Sequence, residues 1–389
     1  MNRVCSIFSQ LLQFFPRMEF EVAVRKHRAN RHERGFDCWT QFVAMLFCQL
    51  GQAQSLREIC GGLAATEGKL RHLGVKRAPK RATLSYANAH RDAELYAEIF
   101  FRQLDKARQL ARSHNKRFRF RNPLVSIDSS IIELSLSMCD WAKYQRQKGA
   151  AKLHLVLDHQ GFLPSFACVT EGKACDLTPV RHLDYPPGAI LVFDRGYQDY
   201  RWFDRLTEKN ISFVTPLRRH AHCEVLESRP IPVGGDVIQD ERIRLGAQRH
   251  RMANEMRRVV VRRPNRTRPW VFLTNNFDLP ADLIALIYEQ RWAIEVFFRT
   301  IKQLMRIKTF VGTSLNAVRI QIWTAMIAIL LFKILQMRAK FGWSLSNLVA
   351  LLRQQLFVHR SLWAWIDEPF QPPPLLDTTP IQQLCLKLG

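Results

Sequence analysis

The stretch PLVSIDSSII, residues 123–132, sets one aspartate in an otherwise strand-forming run. Leu124, Val125, Ile127, Ile131 and Ile132 suit a pleated, buried surface, and Pro123 marks its start. A carboxylate at position 128 is desolvated in such a strand unless a partner compensates it. Further along, AKLHLVLD (151–158) and FLPSFACVT (162–170) flank the turn HQG like a hairpin, and AILVFD (189–194) reads as another buried strand. An amphipathic helix, YQDYRWFDRLTEKN (197–210), and the strand ISFVTPL (211–217) follow. The expected order is three strands, helix, strand, helix, strand. That is an α/β arrangement, a mixed sheet with helices packed on it.

Asp194 ends AILVFD and is followed by Arg-Gly-Tyr. Either aspartate alone is explained as a cap, a turn former or half of a buried ion pair. If the two strands are neighbours in the sheet, however, both carboxylates stand at one sheet edge. A third carboxylate is offered by YEQRWAIEVFFRTIK (288–302). Read as one straight helix, it brings Tyr288, Arg291, Glu295 and Lys302 into an arc of about 60°. Ile287, Ile294, Phe298, Ile301 and Met305 form the adjacent apolar stripe that anchors it. A plain solvated face with an Arg291–Glu295 pair fits the helix taken alone.

Composition favours a nucleic-acid partner. The 389 residues carry 58 Lys and Arg against 34 Asp and Glu, a formal charge of +24, and 47% are hydrophobic. So large an excess suits a polyanion, and the apolar fraction supports a large core. The most apolar run, IWTAMIAILLF (322–332), is cut off by Lys333 and is too short to cross a bilayer. The N-terminus reads as an amphipathic helix with no cleavage site, so no membrane partner is expected. Nine scattered cysteines without a C-x-x-C pair suit a reducing compartment and exclude a zinc ribbon. His220, His222 and Cys223 lie close in sequence, but no second ligand pair follows.

Four regions emerge. Residues 1–115 read as helical: FDCWTQFVAMLFCQL ending at Gly51, a capping box at Ser55–Glu58 opening a helix that stops at Gly61-Gly62, the basic loop 74–81, and one long helix from Ala82. This is either a DNA-binding module or a plain bundle. NKRFRFRNP (115–123) is a basic, aromatic boundary to a mixed α/β segment, 120–312. Within it, 217–269 is a basic, Pro- and Gly-broken, strand-like run; beyond it, 313–389 is helical with a Pro-rich tail.

Three clustered carboxylates in so basic a chain point to metal-assisted phosphodiester chemistry, because hard oxygen ligands hold paired Mg²⁺ ions. Arg195, Arg291 and Lys302 then neutralise phosphate charge. VSIDSS, VFDRGY and YEQRWAIEVFFRTIK resemble the three catalytic blocks of the IS4-family insertion-sequence transposases, a branch of the DDE superfamily. The last block matches the family's Y-(2)-R-(3)-E-(6)-K signature at Tyr288, Arg291, Glu295 and Lys302. KGAAKLHLVLDHQGFLP (148–164) is similar to the stretch that follows the family's first Asp, though Ser130 stands where the family often has Thr.

The resemblance implies an RNase H-like fold with 217–269 as its β insertion and 1–115 as a leader domain. It implies Asp128, Asp194 and Glu295 as ligands of two Mg²⁺ (or Mn²⁺) ions, and Tyr288, Arg291 and Lys302 as phosphate contacts. Trp270 is either a core residue of the last strand or a platform for a flipped base. The implied partners are double-stranded DNA, as terminal inverted repeats and target, and a second copy of the chain in a homodimer. The implied setting is the bacterial cytoplasm, at the nucleoid. Two alternatives remain: a two-metal nuclease on the same fold, and a non-catalytic DNA-binding protein derived from a transposase. A two-carboxylate glycosidase leaves the charge of +24 unexplained.

Overall fold

The computed structural model describes residues 5–371 except 32–34, 67–69, 112–121, 134–149, 160, 232–233, 247–251, 264–266, 306–310 and 313. The boundary segment 115–123 and the Pro-rich tail therefore lie largely outside the described residues. The N-terminal region comprises α1 (Ile7–Leu12), α2 (Arg17–Lys26), α3 (Cys38–Leu50), α4 (Leu56–Ala64), α5 (Arg81–His90) and α6 (Glu94–Ala111). Pro16 divides what the sequence suggested as one N-terminal helix.

Two expectations about α4, α5 and α6 need correction. The capping box forms, with the Glu58 amide donating to Ser55 Oγ at 3.2 Å, but the helix runs through Gly61-Gly62 to Ala64. Gly62 is there for close packing: an added Cβ would meet the Phe47 ring at 2.8 Å. The single long helix from Ala82 is two, broken at Arg91–Ala93. The Asn316 side chain binds the groups freed by the break, donating to the Asn88 and Arg91 carbonyls and accepting from the Ala93 amide.

The sheet is built from β1 (Leu124–Glu133), β2 (Ala150–Asp158), β3 (Leu163–Glu171), β4 (Ile190–Phe193), β5 (Ser212–Pro216), β6 (Cys223–Ser228), β7 (Val237–Leu245), β8 (Met256–Val261) and β9 (Trp270–Thr274), with α7 (Tyr200–Glu208) between β4 and β5. Turns replace the helix expected between β3 and β4, where Pro179 and Pro186-Pro187 interrupt the chain. The order is β3-β2-β1-β4-β5-β9-β8-β7-β6. β1, β4 and β5 run parallel, while β2, β3 and β9 pair antiparallel with their neighbours. The β3-β2-β1-β4-β5 portion is the RNase H-like topology. β6, β7 and β8 extend the same sheet past β9.

After β9 come α8 (Ala281–Glu289), α9 (Trp292–Met305), α10 (Leu315–Arg338), α11 (Leu345–Gln355) and α12 (Leu362–Asp367). The helix expected to run unbroken through 288–302 is two helices. Gln290 and Arg291 form a turn in which the Arg291 and Ile294 amides bond three residues back rather than four. Each half has its own bed. Ile284 and Ile287 of α8 pack on Ile190, Val192 and Val214, whereas Ile294, Phe298 and Ile301 of α9 join the core around α10.

The apolar run at 322–332 is also longer than it looked. It lies within the 24-residue α10, which passes Lys333 and is long and apolar enough to cross a membrane, yet 89% of its apolar window is buried inside the protein. Its neighbours include α3, α5, α6, α9 and α11. A helix apolar on every side is the centre of a core. That core also takes in Leu153, Leu155 and Leu157 of β2, so the N-terminal helices, the C-terminal helices and one sheet face share it. α7, with Trp202 and Phe203, covers the other face.

Candidate active site

Strand pairing brings the two aspartates together. β1 and β4 are in parallel register up to Ile127 opposite Phe193, so Asp128 and Asp194 follow side by side at the end of that ladder. They share the face that α8 and α9 cover. The Asp128 side chain is only 17% exposed; its Oδ1 accepts from the Ser129 amide at 2.8 Å, and its Oδ2 faces Arg291 Nη1 at 3.3 Å. Asp194 is half-buried, and its Oδ1 accepts from the Gly196 amide at 2.7 Å. That tight turn explains the glycine of the Asp-Arg-Gly-Tyr run, because an added Cβ would stand 3.0 Å from Asp194 Oδ1.

The turn between α8 and α9 aims Arg291 into the site. Its guanidinium bridges Asp128 and Glu295, the latter one helical turn ahead, and lies over the Tyr288 ring at 5.5 Å. The Arg291 Nε is buried without a hydrogen-bond partner among the described residues. One guanidinium therefore pairs with two carboxylates, and Asp194 stands beside the first of them. Burial, with Asp194 and Glu295 adding to it, pushes the Asp128 carboxyl up to about 6, against the Ser129 amide and Arg291, which favour the anion. Arg291 is held above its ordinary value: burial opposes this, and Tyr288, Asp128 and Glu295 outweigh it.

The remaining expected residues fall at graded distances. Tyr288 is half-buried, in aromatic contact with Phe272 at 5.1 Å and Trp270 at 6.4 Å. Trp270 is the first residue of β9; it is half-buried, with Arg263 over its ring at 4.6 Å. Arg195 is exposed in the turn after Asp194, on the Tyr288 side of the site. Lys302 is exposed two helical turns beyond Glu295. The structure thus gathers Asp128, Asp194, Glu295, Arg291 and Tyr288. Arg195, Lys302 and Trp270 stand around their rim.

Sequence reading missed Asp176, Lys152 and the side chain of Ser129. Ser129 Oγ donates to Asp176 Oδ1 at 2.6 Å, and Lys152 Nζ donates to the same oxygen at 3.0 Å. Lys152 was visible as a cation inside an apolar strand, the same signal that marked Asp128. Asp176, in a turn rich in Pro and Thr, carried none, since aspartate is an ordinary turn residue.

Chemically, three carboxylates are a donor set for a hard divalent cation. The unfavourable setting of ionised Asp128 is what a nearby cation relieves, and here Arg291 supplies that charge. Among the described residues no three acidic, His or Cys side chains already surround a common point.

Residues 119–331, more than half the chain, match the transposase DDE domain family, and residues 4–76 match a domain of unknown function (DUF4372). A putative transposase of Sinorhizobium fredii, y4zB, is 33% identical over 325 residues, covering 81% of this chain and 88% of the relative. A probable transposase for the insertion sequence element IS5377 of Geobacillus stearothermophilus is 32% identical over 224 residues, 57% of this chain and 59% of the relative. Among solved structures, the piggyBac transposase synaptic complex with hairpin DNA is similar at a TM-score of 0.47 and 11% identity, over 95% of this chain and 82% of that one. By the domain match and the Sinorhizobium relative, the chain belongs to the DDE transposases, enzymes of DNA cleavage and strand transfer that depend on divalent metal ions.

Proposed function

We propose that this transposase moves its element by cut-and-paste, with Asp128, Asp194 and Glu295 as the catalytic carboxylates. The observation that carries this reading is that Asp128 and Asp194 stand side by side at the end of the β1–β4 ladder, with Arg291 bridging Asp128 to Glu295. The carboxylates hold two Mg²⁺ (or Mn²⁺) ions, which when bound supply an activated attacking oxygen and stabilise the leaving oxygen of a phosphodiester. Arg291 leaves its bridge when DNA arrives and donates to a phosphate at the transposon end, which frees Asp128 and Glu295 as ligands. Tyr288, Lys302 and Arg195 contact neighbouring phosphates. The course is 3′ strand nicking by water, hairpin formation, hairpin resolution and strand transfer. Alanine at Asp128, Asp194 or Glu295 should lower nicking of the cognate end by about 10⁴-fold or more, as loss of one member of a catalytic unit does. End binding should persist. Full cleavage by the Asp194→Ala protein would overturn the triad.

The N-terminal helices read the terminal inverted repeat. Support comes from the exposed face of α5, with Arg81, Thr83, Ser85 and Tyr86 outward, next to exposed Lys76, Arg77 and Lys80. Phosphate contacts by these cations give most of the affinity, so it should fall steeply with salt in the full chain. Two copies act together on the two ends. α10 is taken up by the core, so the C-terminal contacts between copies fall to α11 and α12. The work is done at the bacterial nucleoid, in a reducing cytoplasm.

Trp270 receives a base flipped from the transposon end during hairpin formation, beside Tyr288, which holds the adjacent phosphate. Arg263 over the indole moves aside for the base. Trp270→Ala should spare nicking and slow the hairpin step about 10–100-fold, the rate equivalent of one base–aromatic stack. An abasic site at that position should reduce the defect. Equal slowing of nicking and hairpin formation would make Trp270 a core residue instead.

A further inference from the structure

Asp176 lies at the junction of the two strands that carry the aspartates. Its Oδ1 accepts from Ser129 Oγ at 2.6 Å and from Lys152 Nζ at 3.0 Å. Lys152 is nearly buried and gives a second bond, 2.8 Å long, to the Ala174 carbonyl, so it clamps the turn that presents Asp176. The other oxygen, Oδ2, is on the Gly196 side: a Cβ added to Gly196 would stand 3.9 Å from it. Asp176 therefore spans from the Ser129 end of β1 to the turn that follows Asp194. Burial acts against its ionised form, yet the bonds from Ser129 and Lys152 outweigh burial and hold the carboxyl below its ordinary value.

The position of Ser129 gives this arrangement its consequence. Pairing of β1 with β4 ends at Ile127 and Phe193, two residues before Ser129. On that side the strand has lost its neighbour, and the Ser129 amide turns instead to Asp128 Oδ1 at 2.8 Å. The direction of the Asp128 lone pairs is thus set by the placement of Ser129. The ladder to β2 fixes Ser129 from one side, opposite His154. From the other side the Asp176–Lys152 clamp bonds its side chain, next to the buried Tyr197 phenol. Partners of this kind orient metal ligands and govern affinity for the ion.

We propose that Asp176, clamped by Lys152, is a positioning residue that acts through Ser129 to aim the Asp128 carboxylate. Asp176 itself is not a ligand, because it bonds Ser129, whose side chain leaves β1 on the face opposite Asp128. The proposal rests on the reading of Asp128 as a catalytic carboxylate. Its test uses the full-length protein, with single-turnover nicking of the transposon end at saturating DNA, end affinity, and Mn²⁺ binding followed by electron paramagnetic resonance without DNA. Ser129→Ala and Asp176→Asn should each slow nicking and weaken Mn²⁺ binding roughly 10–100-fold, the range for lost support of a ligand. End affinity should stay within about twofold of wild type, and Ser129→Thr, which keeps the hydroxyl, should recover nicking to within about threefold. The Ser129→Ala/Asp176→Asn double variant should be no slower than the worse single one, since both act along one line.

Ser129→Ala leaves the Lys152–Asp176 pair intact and decides the matter if Asp176→Asn folds poorly. Wild-type nicking and Mn²⁺ binding by Ser129→Ala overturn the proposal, as do single effects that multiply in the double variant. Asp128→Ala serves as the reference: if it still nicks, the reading of Asp128 has failed rather than the role of Asp176.

Discussion

Two arginine–carboxylate sites lie in the same sheet and differ in how completely they are paired. In the insertion, Arg257 of β8 grips Asp240 of β7 in two-pronged fashion, Nε to Oδ1 at 2.8 Å and Nη2 to Oδ2 at 2.7 Å. Its remaining nitrogen, Nη1, donates to the Asn276 and Leu279 carbonyls, which hold the turn leading into α8. Both side chains are almost wholly buried, at 2% and 4% exposure. At the active site, one guanidinium, Arg291, pairs with both Asp128 and Glu295 beside Asp194, and its Nε has no hydrogen-bond partner among the described residues. The first site is closed and has one acid for one base. The second carries surplus negative charge toward solvent, which is the condition for accepting a cation and a phosphate. Buried charge is common to both; incomplete pairing is what separates the functional site from the structural one.

The largest expected effect on the folded state is at the closed site. Asp240→Asn leaves Arg257 buried without its carboxylate and should cost about 3–5 kcal/mol of stability. It should read out as a lower urea midpoint with an unchanged slope. Well below its melting temperature, the variant should still nick transposon ends at close to the wild-type rate, because neither side chain reaches the carboxylate cluster. Loss of nicking without loss of stability would erase the contrast between the two arginines.

Legibility in the sequence followed the same contrast. Asp128 and Asp194 were visible because each is one charge in an apolar strand, and parallel neighbours at matched register put them side by side. The break between α8 and α9 was not visible, since every residue from Tyr288 to Lys302 tolerates a helix. It arises because the two halves pack into different cores, one on β4 and β5 and one around α10. The break at Arg91–Ala93 likewise depends on Asn316, more than two hundred residues away. Gly61-Gly62 read as a stop from propensity, but the helix continues, and close packing against Phe47 accounts for Gly62. Asp176 was hidden for a related reason: what distinguishes it from any turn aspartate is its contact with Ser129, and contacts between distant residues leave no local pattern.

The smallest effect is also the sharpest test of the open site, because it should have the opposite sign to the change at Asp240. Burial raises Asp128 from its ordinary value to about 6, so its ionised form is disfavoured in the folded chain. A carboxyl whose folded value lies above its unfolded one adds stability only where it is protonated in both states. That contribution is complete below about pH 4 and is lost as pH rises through about 6. Asp128→Asn cannot ionise, so in chelator-treated protein it should match wild type near pH 4 and exceed it above pH 6. The gain should be about 1–2 kcal/mol, less than the full shift implies because the same change takes a carboxylate away from Arg291. Nicking should be abolished in the same variant, an exchange of activity for stability typical of functional sites. Adding Mn²⁺ should close the gap by stabilising wild type alone, through binding that favours the folded state. Should Asp128→Asn be less stable than wild type at pH 7.5 without metal, the Arg291 site is as complete as the Arg257 site, and pairing does not distinguish them.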